Sequence, residues 1–125
     1  MAYSTAYRYT KEHEWVKIEG NRARVGITDH AQAELGDVVF VELPTVGAEV
    51  KQGGLLGTVE SVKAVSDVYA PVSGKVVEVN RDLEQSPETV NQSPHEAGWI
   101  AVIQLANPSE TGSLLDAAAY EALIA

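Results

Sequence analysis

The sequence predicts a mostly β protein with short helices at its edges and a helix at its carboxyl end. Three observations support this fold class. Apolar and polar residues alternate over short runs, and four glycines fall between residues 47 and 57, a density typical of tight turns. The chain has 125 residues, a length that fits one domain, and 45% of them are hydrophobic, enough for a core. We therefore expect a single domain over residues 1–125.

The first predicted element is a β-hairpin. In residues 14–19, Val16 and Ile18 share one face, and in residues 22–27 apolar residues occupy every second position. The polar turn Glu19-Gly20-Asn21 separates the two runs. Alternation with a period of two places the apolar side chains on one face of paired strands.

A short helix and a strand are predicted next. Asp29 is the expected N-cap, with Gln32 three residues later completing a capping box, and Gly36 follows Leu35 as a helix stop. Residues 37–43 are rich in β-branched side chains and predict a strand, which Pro44 ends because proline donates no backbone hydrogen bond.

The middle of the chain predicts strands joined by tight turns. Residues 55–60 and 65–69 are two β-type runs with Ser61-Val62-Lys63-Ala64 between them. Residues 70–74 form a further turn, in which Gly74 is expected to take a positive φ, and residues 75–79 form another strand.

Beyond residue 79 the pattern favours helical turns around one more strand. Asn80 is the expected N-cap of a turn over residues 80–84, and a polar loop lies between Pro87 and Pro94. Residues 99–105 form an apolar run that predicts a strand buried on both faces.

The last predicted element is an amphipathic helix. Asn107-Pro108 is typical of a helix start, with asparagine at the N-cap and proline at the first position. Residues 114–124 predict a helix whose apolar side is formed by Leu115, Ala119, Ala122 and Leu123.

The charge and composition exclude several partners and chemistries. The net charge of −9 disfavours binding to nucleic acid or to anionic membranes; it favours basic protein surfaces, or else serves only solubility. The absence of cysteine excludes disulfides and thiolate chemistry. The longest apolar runs are far below the roughly 18–20 residues that span a bilayer. The first ten residues resemble neither a signal nor a transit peptide, so we expect a cytoplasmic protein.

No catalytic motif stands out, and the sequence does not predict an independent enzyme. The three histidines, His13, His30 and His95, lack metal-ligand spacing, and His13 is interpreted as a structural or surface residue. The sequence contains neither a nucleophile elbow nor a phosphate-binding loop.

The unusual feature is Lys63, which lies near the tip of a predicted hairpin. Glu60 stands three residues before it and Asp67 four residues after it. A lysine at a tip is reachable from several directions, although spacing alone also fits an ordinary solvated turn.

Several motifs give the chain a strong resemblance to the H-protein family of the glycine cleavage system, the lipoyl carriers. The matching segments are Tyr9–Val16, Gly26–Gln32, Leu35–Pro44, Glu60–Ala64, Ala70–Gly74 and Gly98–Trp99. The resemblance implies a barrel-sandwich hybrid fold, with a lipoyl-binding core at about 22–104 and a C-terminal helical extension at about 107–125. It also implies that Lys63, the lysine of E-S-V-K-A, carries lipoic acid in amide linkage. Val62 and Ala64 disfavour biotin, whose carriers have methionine on both sides of the lysine.

The resemblance also implies the partners of a non-catalytic shuttle. These are a pyridoxal-phosphate glycine decarboxylase, an aminomethyltransferase that uses tetrahydrofolate, and dihydrolipoyl dehydrogenase. A lipoate ligase or lipoyl transferase attaches the group. Two alternatives stay open: an H-like protein that donates its lipoyl group to other enzymes, and an unmodified interaction domain.

The resemblance implies a role for two carboxylates near Lys63, and the chemistry of the carried group predicts a role for a third. Glu60 and Asp67 are expected to be recognised by the lipoylating enzyme. The loaded arm is the lipoyl group with an aminomethyl group on one sulfur, which loses ammonia easily in water. Glu14 is expected to hold the protonated amine of this arm, with Trp15 as an apolar wall beside it. The alternative for Glu14 is an ordinary surface position at the start of a strand.

Overall fold

The computed structural model describes residues 3–125, so Met1 and Ala2 of the predicted domain lie outside the described residues. Within these described residues, nine strands and four α-helices follow one another, with a 3-10 helix before the last α-helix. The strands are β1 (Arg8–Tyr9), β2 (Glu14–Glu19), β3 (Arg22–Ile27), β4 (Val38–Glu42), β5 (Glu49–Val50), β6 (Leu55–Ser61), β7 (Val65–Tyr69), β8 (Gly74–Val79) and β9 (Ala101–Leu105). The helices are α1 (Asp29–Leu35), α2 (Asp82–Gln85), α3 (Thr89–Gln92), the 3-10 helix Pro108–Ser113 and α4 (Ala117–Ile124).

The strands form two antiparallel sheets. One has six strands in the order β1-β2-β3-β9-β8-β5, and the other has three in the order β4-β6-β7. One apolar core contains buried side chains from both sheets, including Val25, Val59 and Ile103. The predicted fold, mostly β with short helices and a C-terminal helix, is confirmed.

The predicted N-terminal hairpin is present with its expected register. Glu14 pairs with Ile27 and Glu19 with Arg22. Glu14, Trp15 and Val16 are all buried, so both faces of β2 are covered at its start. Val16 joins the main core, whereas Trp15 joins a second cluster with Tyr3, Tyr9, Ala117 and Tyr120. This second cluster attaches both ends of the chain to the six-stranded sheet.

The cap of α1 differs from the prediction by one residue. Thr28, not Asp29, is the N-cap, and its hydroxyl accepts a hydrogen bond from the Ala31 backbone N–H at 3.2 Å. The Asp29 carboxylate instead accepts from the Gln32 side chain at 3.0 Å. The helix ends at Gly36 as predicted, and the φ of +79° there is one that glycine adopts readily.

The segment after β8 is more helical than predicted. Asn80 does not cap a helix: its buried amide donates to the carbonyls of Ala97 and Trp99, both at 2.8 Å. The first helix after it begins at Asp82. The segment between Pro87 and Pro94, predicted as a loop, contains α3, which packs through the fully buried Val90.

The prediction that Gly74 takes a positive φ in a turn is wrong. Gly74 begins β8, and its φ is not positive. A side chain there would overlap the carbonyl oxygen of Gln104 in the neighbouring strand β9. The position therefore requires glycine because two backbones approach closely, and not because the chain turns.

The C-terminal helix is shorter than predicted and buries a different face. Asn107 caps the 3-10 helix, and Asp116 caps α4 by accepting from the Ala119 N–H at 2.8 Å. The buried residues of α4 are Ala117 and Tyr120, whereas the predicted face residues Ala119, Ala122 and Leu123 are exposed. Leu115 precedes the helix and pairs with Tyr9. Among residues 3–125, every helix falls short of the length and apolarity that crossing a membrane requires.

Candidate functional site

Lys63 lies in the three-residue connection between β6 and β7, with its side chain exposed. The buried side chain of Ser61 closes this turn. Its hydroxyl accepts from the backbone N–H groups of Lys63 at 3.3 Å and Ala64 at 3.1 Å. The Ser61 N–H donates to the Ala64 carbonyl at 2.8 Å. The turn is therefore fixed by its own hydrogen bonds, and Ser61 supports the site although its sequence context predicted no role for it.

A second segment supports the turn from the side of α1. The Val62 N–H donates to the carbonyl of Asp37 at 3.0 Å, which links the turn to the start of β4. The Lys63 side chain passes Gly36, and its Cε would lie 3.6 Å from a Cβ at that position. No ion pair within residues 3–125 involves Lys63. The amine thus stands on an ordered turn and is not engaged by a carboxylate of its own chain.

Glu60 and Asp67 lie on the outward face of the hairpin. Glu60 pairs with Val65 and Thr58 with Asp67, so these four side chains project from the same face. Both carboxylates are exposed. Apolar side chains lie around them: Val62 and Val65 are 70% and 64% exposed, and Phe40 is the cross-strand neighbour of Glu60. The surface around the lysine is both acidic and apolar.

Glu14 has the opposite environment. It is only 2% exposed, so it is not the surface residue that one reading of the sequence allowed. One carboxylate oxygen accepts from the Tyr69 backbone N–H at 3.1 Å, and the other accepts from the Thr10 hydroxyl. Burial raises the pKa of this carboxyl above its ordinary value, and the bonds from Thr10 and Tyr69 partly offset the rise.

A cleft of about 300 Å³ connects Glu14 with the hairpin. It lies between the β6–β7 hairpin on one side and α1 with the start of β2 on the other. Glu14 and Asp67 both line it, together with Ala64, the residue next to Lys63. Its other lining residues are Glu12, His13, Ile27, Ala31, Glu34, Leu35, Val59, Val65, Ser66 and Val68. The structure thus brings Glu14 and Asp67 to one cavity beside the lysine turn, whereas Glu60 does not line it.

Trp15 does not form a wall beside Glu14. It lies on the other face of β2, where its indole N–H donates to the Pro94 carbonyl at 2.8 Å. Its ring covers Gly26, where a Cβ would lie 2.6 Å from the indole. The apolar lining of the cleft comes instead from the main core side, through Ile27, Val59 and Val68.

The histidines have structural contacts. His13 has a positive φ of 72°, and its Nδ1 lies 2.8 Å from the Tyr120 hydroxyl. The Nε2 atom of His95 accepts from the Asp29 N–H at 3.0 Å, and the Nε2 atom of His30 lies 3.2 Å from Oε1 of Glu34. Over residues 3–125, no three His, Cys, Asp or Glu side chains form a group that could hold a metal ion.

The comparisons with known proteins agree with one another. The family model described as "Glycine cleavage H-protein" matches residues 7–125. A glycine cleavage system H protein from Symbiobacterium thermophilum is 63% identical over 92% of this chain and 90% of its own. One from Brevibacillus brevis is 56% identical over 99% of this chain and 98% of its own.

A solved structure gives the same result. The crystal structure of a glycine cleavage system H protein from Mycobacterium marinum superimposes with a TM-score of 0.88 at 42% identity. The match covers 96% of this chain and 97% of the other. The chain therefore belongs to the glycine cleavage H-protein family, the non-catalytic lipoyl carriers of that system.

Proposed function

We propose that Lys63 is the residue to which lipoic acid is attached, through an amide to its Nζ. The observation that carries this proposal is the exposed lysine on a turn ordered by Ser61 and Asp37. Its four methylenes extend the attachment point beyond the backbone, so that active sites on several proteins can reach it. Amide formation removes the lysine charge and changes the net charge from −9 to −10.

The disulfide of the bound lipoyl group supplies the redox and carrier chemistry, so the chain itself needs no cysteine. The role of this chain's residues is to present the arm, to let other proteins recognise it and to shelter it. The whole chain serves as one carrier domain in this proposal, with the core at about 22–104 and the helical extension at about 107–125.

The proposal assigns recognition by the lipoylating enzyme, a lipoate ligase or lipoyl transferase, to Glu60 and Asp67. Both carboxylates project from the face that carries the exposed Val65. An acidic and apolar surface around a lysine suits a basic partner surface with an apolar contact.

Glu14 is assigned the docking of the loaded arm. The cleft that it lines begins beside the lysine turn, and its apolar floor excludes part of the water from a docked arm. The carboxylate is held in place by Tyr69 and Thr10, so it is preorganised to accept from an ammonium group. Glu12, Glu34 and Asp67 add negative charge to the same cleft.

The partners follow from membership in the glycine cleavage system. They are glycine decarboxylase, aminomethyltransferase and dihydrolipoyl dehydrogenase, and the surface around Lys63 is the one that they share. The proposed location is the cytoplasm, which fits the bacterial sources of the relatives.

Two measurements test this function. The intact mass of the protein isolated from its source, with the modified peptide assigned, should show one lipoyl group on Lys63. Reconstituted glycine decarboxylation with the other components should depend on that modified chain. An unmodified lysine would indicate an interaction domain, and modification without support of decarboxylation would indicate a lipoyl donor.

A further inference from the structure

Helix α3 lies in the segment between residues 85 and 97, in which the sequence offered nothing diagnostic. Val90 fixes this helix in the core, where it is fully buried. The next residue, Asn91, makes three hydrogen bonds: one to α1, one to the connection that follows it and one to the start of β4. Its amide donates to the Gln32 side chain at 2.9 Å and to the Gly36 carbonyl at 2.8 Å. Its oxygen accepts from the Val38 N–H at 2.8 Å.

The same connection supports the lysine turn on its other side. Asp37 accepts from the Val62 N–H at 3.0 Å, and Val38 pairs with Ser61, the residue that closes the turn. The Lys63 side chain passes over Gly36. Residues 36–38 therefore lie between Asn91 and the Lys63 turn, and both are bonded to them.

This connection needs an external support because of its own composition. Gly36 has a φ of +79°, and glycine has more backbone freedom to lose on folding than any other residue. Asp37 is exposed, so the core does not hold its side chain. Asn91 satisfies the two backbone groups on either side of Asp37, namely the carbonyl of Gly36 and the N–H of Val38. It thereby fixes the direction of the Asp37 carbonyl, which accepts the hydrogen bond from the Val62 N–H.

We infer that Asn91 is a positioning residue for the carrier lysine, acting through residues 36–38. This inference rests on the proposed attachment at Lys63. Without Asn91, the connection and the turn bonded to it sample other arrangements, and only a fraction of the molecules presents the lysine correctly. A lipoylating enzyme then meets fewer competent carriers, which raises the apparent KM for the carrier and leaves kcat unchanged.

The test compares Asn91→Ala and the milder Asn91→Asp with a matched control, Asn80→Ala. Asn91→Asp keeps an oxygen for the Val38 N–H but removes both donated bonds. Asn80 is also an asparagine whose amide donates two backbone bonds in the same region, but its partners are Ala97 and Trp99. Asn80→Ala therefore reports general loss of stability without touching residues 36–38.

Two readouts apply to the full-length apo protein. The first is amide hydrogen exchange at Val62, and the second is the KM and kcat for the carrier in lipoylation by a lipoate ligase with lipoic acid and ATP. For Asn91→Ala we expect about tenfold faster exchange at Val62 and an about tenfold higher KM, the effect of losing one or two net hydrogen bonds. Asn91→Asp should follow in the same direction.

The inference is overturned if either readout, the exchange rate at Val62 or the KM, is the same in both Asn91 variants as in wild type. It is also overturned if either readout is the same in both Asn91 variants as in Asn80→Ala. If Asn91→Ala does not fold, Asn91→Asp decides. The wild-type protein separates this inference from the function on which it rests. Failure of wild type to accept lipoate at Lys63 would refute the attachment site, whereas normal modification of wild type and variants alike would refute only the role of Asn91.

Discussion

The exposed carboxylates of the β6–β7 hairpin and the buried carboxylate of Glu14 in the adjoining cleft lie in opposite environments. Glu60 and Asp67 are exposed on the outward face of β6 and β7, whereas Glu14 is 2% exposed and accepts hydrogen bonds from Tyr69 and Thr10. An exposed carboxylate contributes little to folding and is free to be read by another protein. A buried carboxylate needs hydrogen bonds from its own chain, and it interacts with groups that enter the cleft.

The difference leads to separate expectations for the two regions. Substitutions at the tip should change modification and leave stability nearly constant. Substitutions in the interior should change stability, the fate of a docked arm, or both.

The largest effect is expected for Lys63→Arg, which should abolish lipoylation and leave the fold intact. A guanidinium has a pKa above about 12 and is not an amine that can be acylated, whereas its charge and length suit the same exposed tip. Intact mass after incubation with ligase and lipoate measures modification, and thermal unfolding measures the fold. Lys51→Arg, at an exposed lysine in another turn, is the control. A lipoyl group on the Lys63→Arg protein would disprove the attachment site.

In the scaffold, Gly74→Val should destabilise the protein by about 3 kcal/mol or more. The new side chain would overlap the Gln104 carbonyl and separate β8 from β9. Urea unfolding of the apo protein measures the loss. Gly112→Val is a matched control, because a Cβ at Gly112 has no neighbour within 4 Å. Equal stability of the two variants would show that the close approach of the strands does not constrain residue 74.

Glu14→Ala tests the cleft directly. Loss of the contact between its carboxylate and a docked ammonium should accelerate spontaneous ammonia release about 5- to 150-fold, corresponding to about 1–3 kcal/mol. Release is measured on the loaded protein without the transferase. Glu60→Ala, which removes a carboxylate that does not line the cleft, should release ammonia at the wild-type rate. Unchanged release from Glu14→Ala would remove the docking role and leave Lys63 as the carrier site.

The burial of Glu14 also predicts a pH dependence of stability. Burial raises the pKa of Glu14 in the folded state above its ordinary value of 4.5, so the folded protein binds this proton more tightly than the unfolded chain. The resulting stability is fully present below 4.5 and is lost as the pH rises through the folded-state pKa.

In the variant Glu14→Gln the side chain at position 14 cannot titrate, so comparison with wild type isolates the contribution of Glu14 to the pH dependence of stability. The unfolding free energy of wild type minus that of Glu14→Gln should decrease from about pH 4 to about pH 7, as followed by urea unfolding. Glu12→Gln, at an exposed position of the same segment, is the control. A constant difference across this range for Glu14→Gln would mean that burial does not shift its titration.

The comparison of tip and cleft also shows what local sequence could predict. The β2–β3 hairpin and the two strands around Lys63 follow from residues adjacent in sequence, and the motif E-S-V-K-A is the basis for proposing Lys63 as the attachment site. The burial of Glu14 depends on the Tyr69 N–H, 55 residues away, and alternation within β2 does not reveal that both faces are covered. The conflict at Gly74 depends in the same way on Gln104 in a separate strand.

The predictions of the α1 N-cap and of the buried face of α4 were wrong for related reasons. Thr28 and Asp29 are both good N-caps, and the choice is fixed by Tyr120, whose hydroxyl lies 2.7 Å from Thr28 Oγ1. The same tyrosine determines the buried face of α4, because it stacks on Tyr9 at 4.9 Å between ring centroids. An apolar stripe of alanine and leucine could not reveal this, since the cluster is built from polar-tipped aromatic residues at both ends of the chain.

The smallest effect is expected for Glu60→Ala, which tests the exposed side of the comparison. Its carboxylate should contribute to the encounter with a basic surface on the lipoylating enzyme, where exposed pairs yield about 0.2–1 kcal/mol. Lipoylation at limiting carrier concentration should therefore slow by about 1.4- to fivefold, and stability should change by less than about 0.5 kcal/mol. Initial rates followed by intact mass measure the first effect, and urea unfolding measures the second.

The matched control for this variant is Glu42→Ala, since Glu42 lies on the same outward face, pairs with Thr58 and is further from the tip. Raising the salt concentration should bring the rates of wild type and Glu60→Ala together, because screening removes the electrostatic part of the encounter. Equal rates for wild type, Glu42→Ala and Glu60→Ala at low salt would mean that Glu60 is only a solvated strand end. A rate loss shared by Glu42→Ala and Glu60→Ala would instead assign the effect to the overall negative charge of the face.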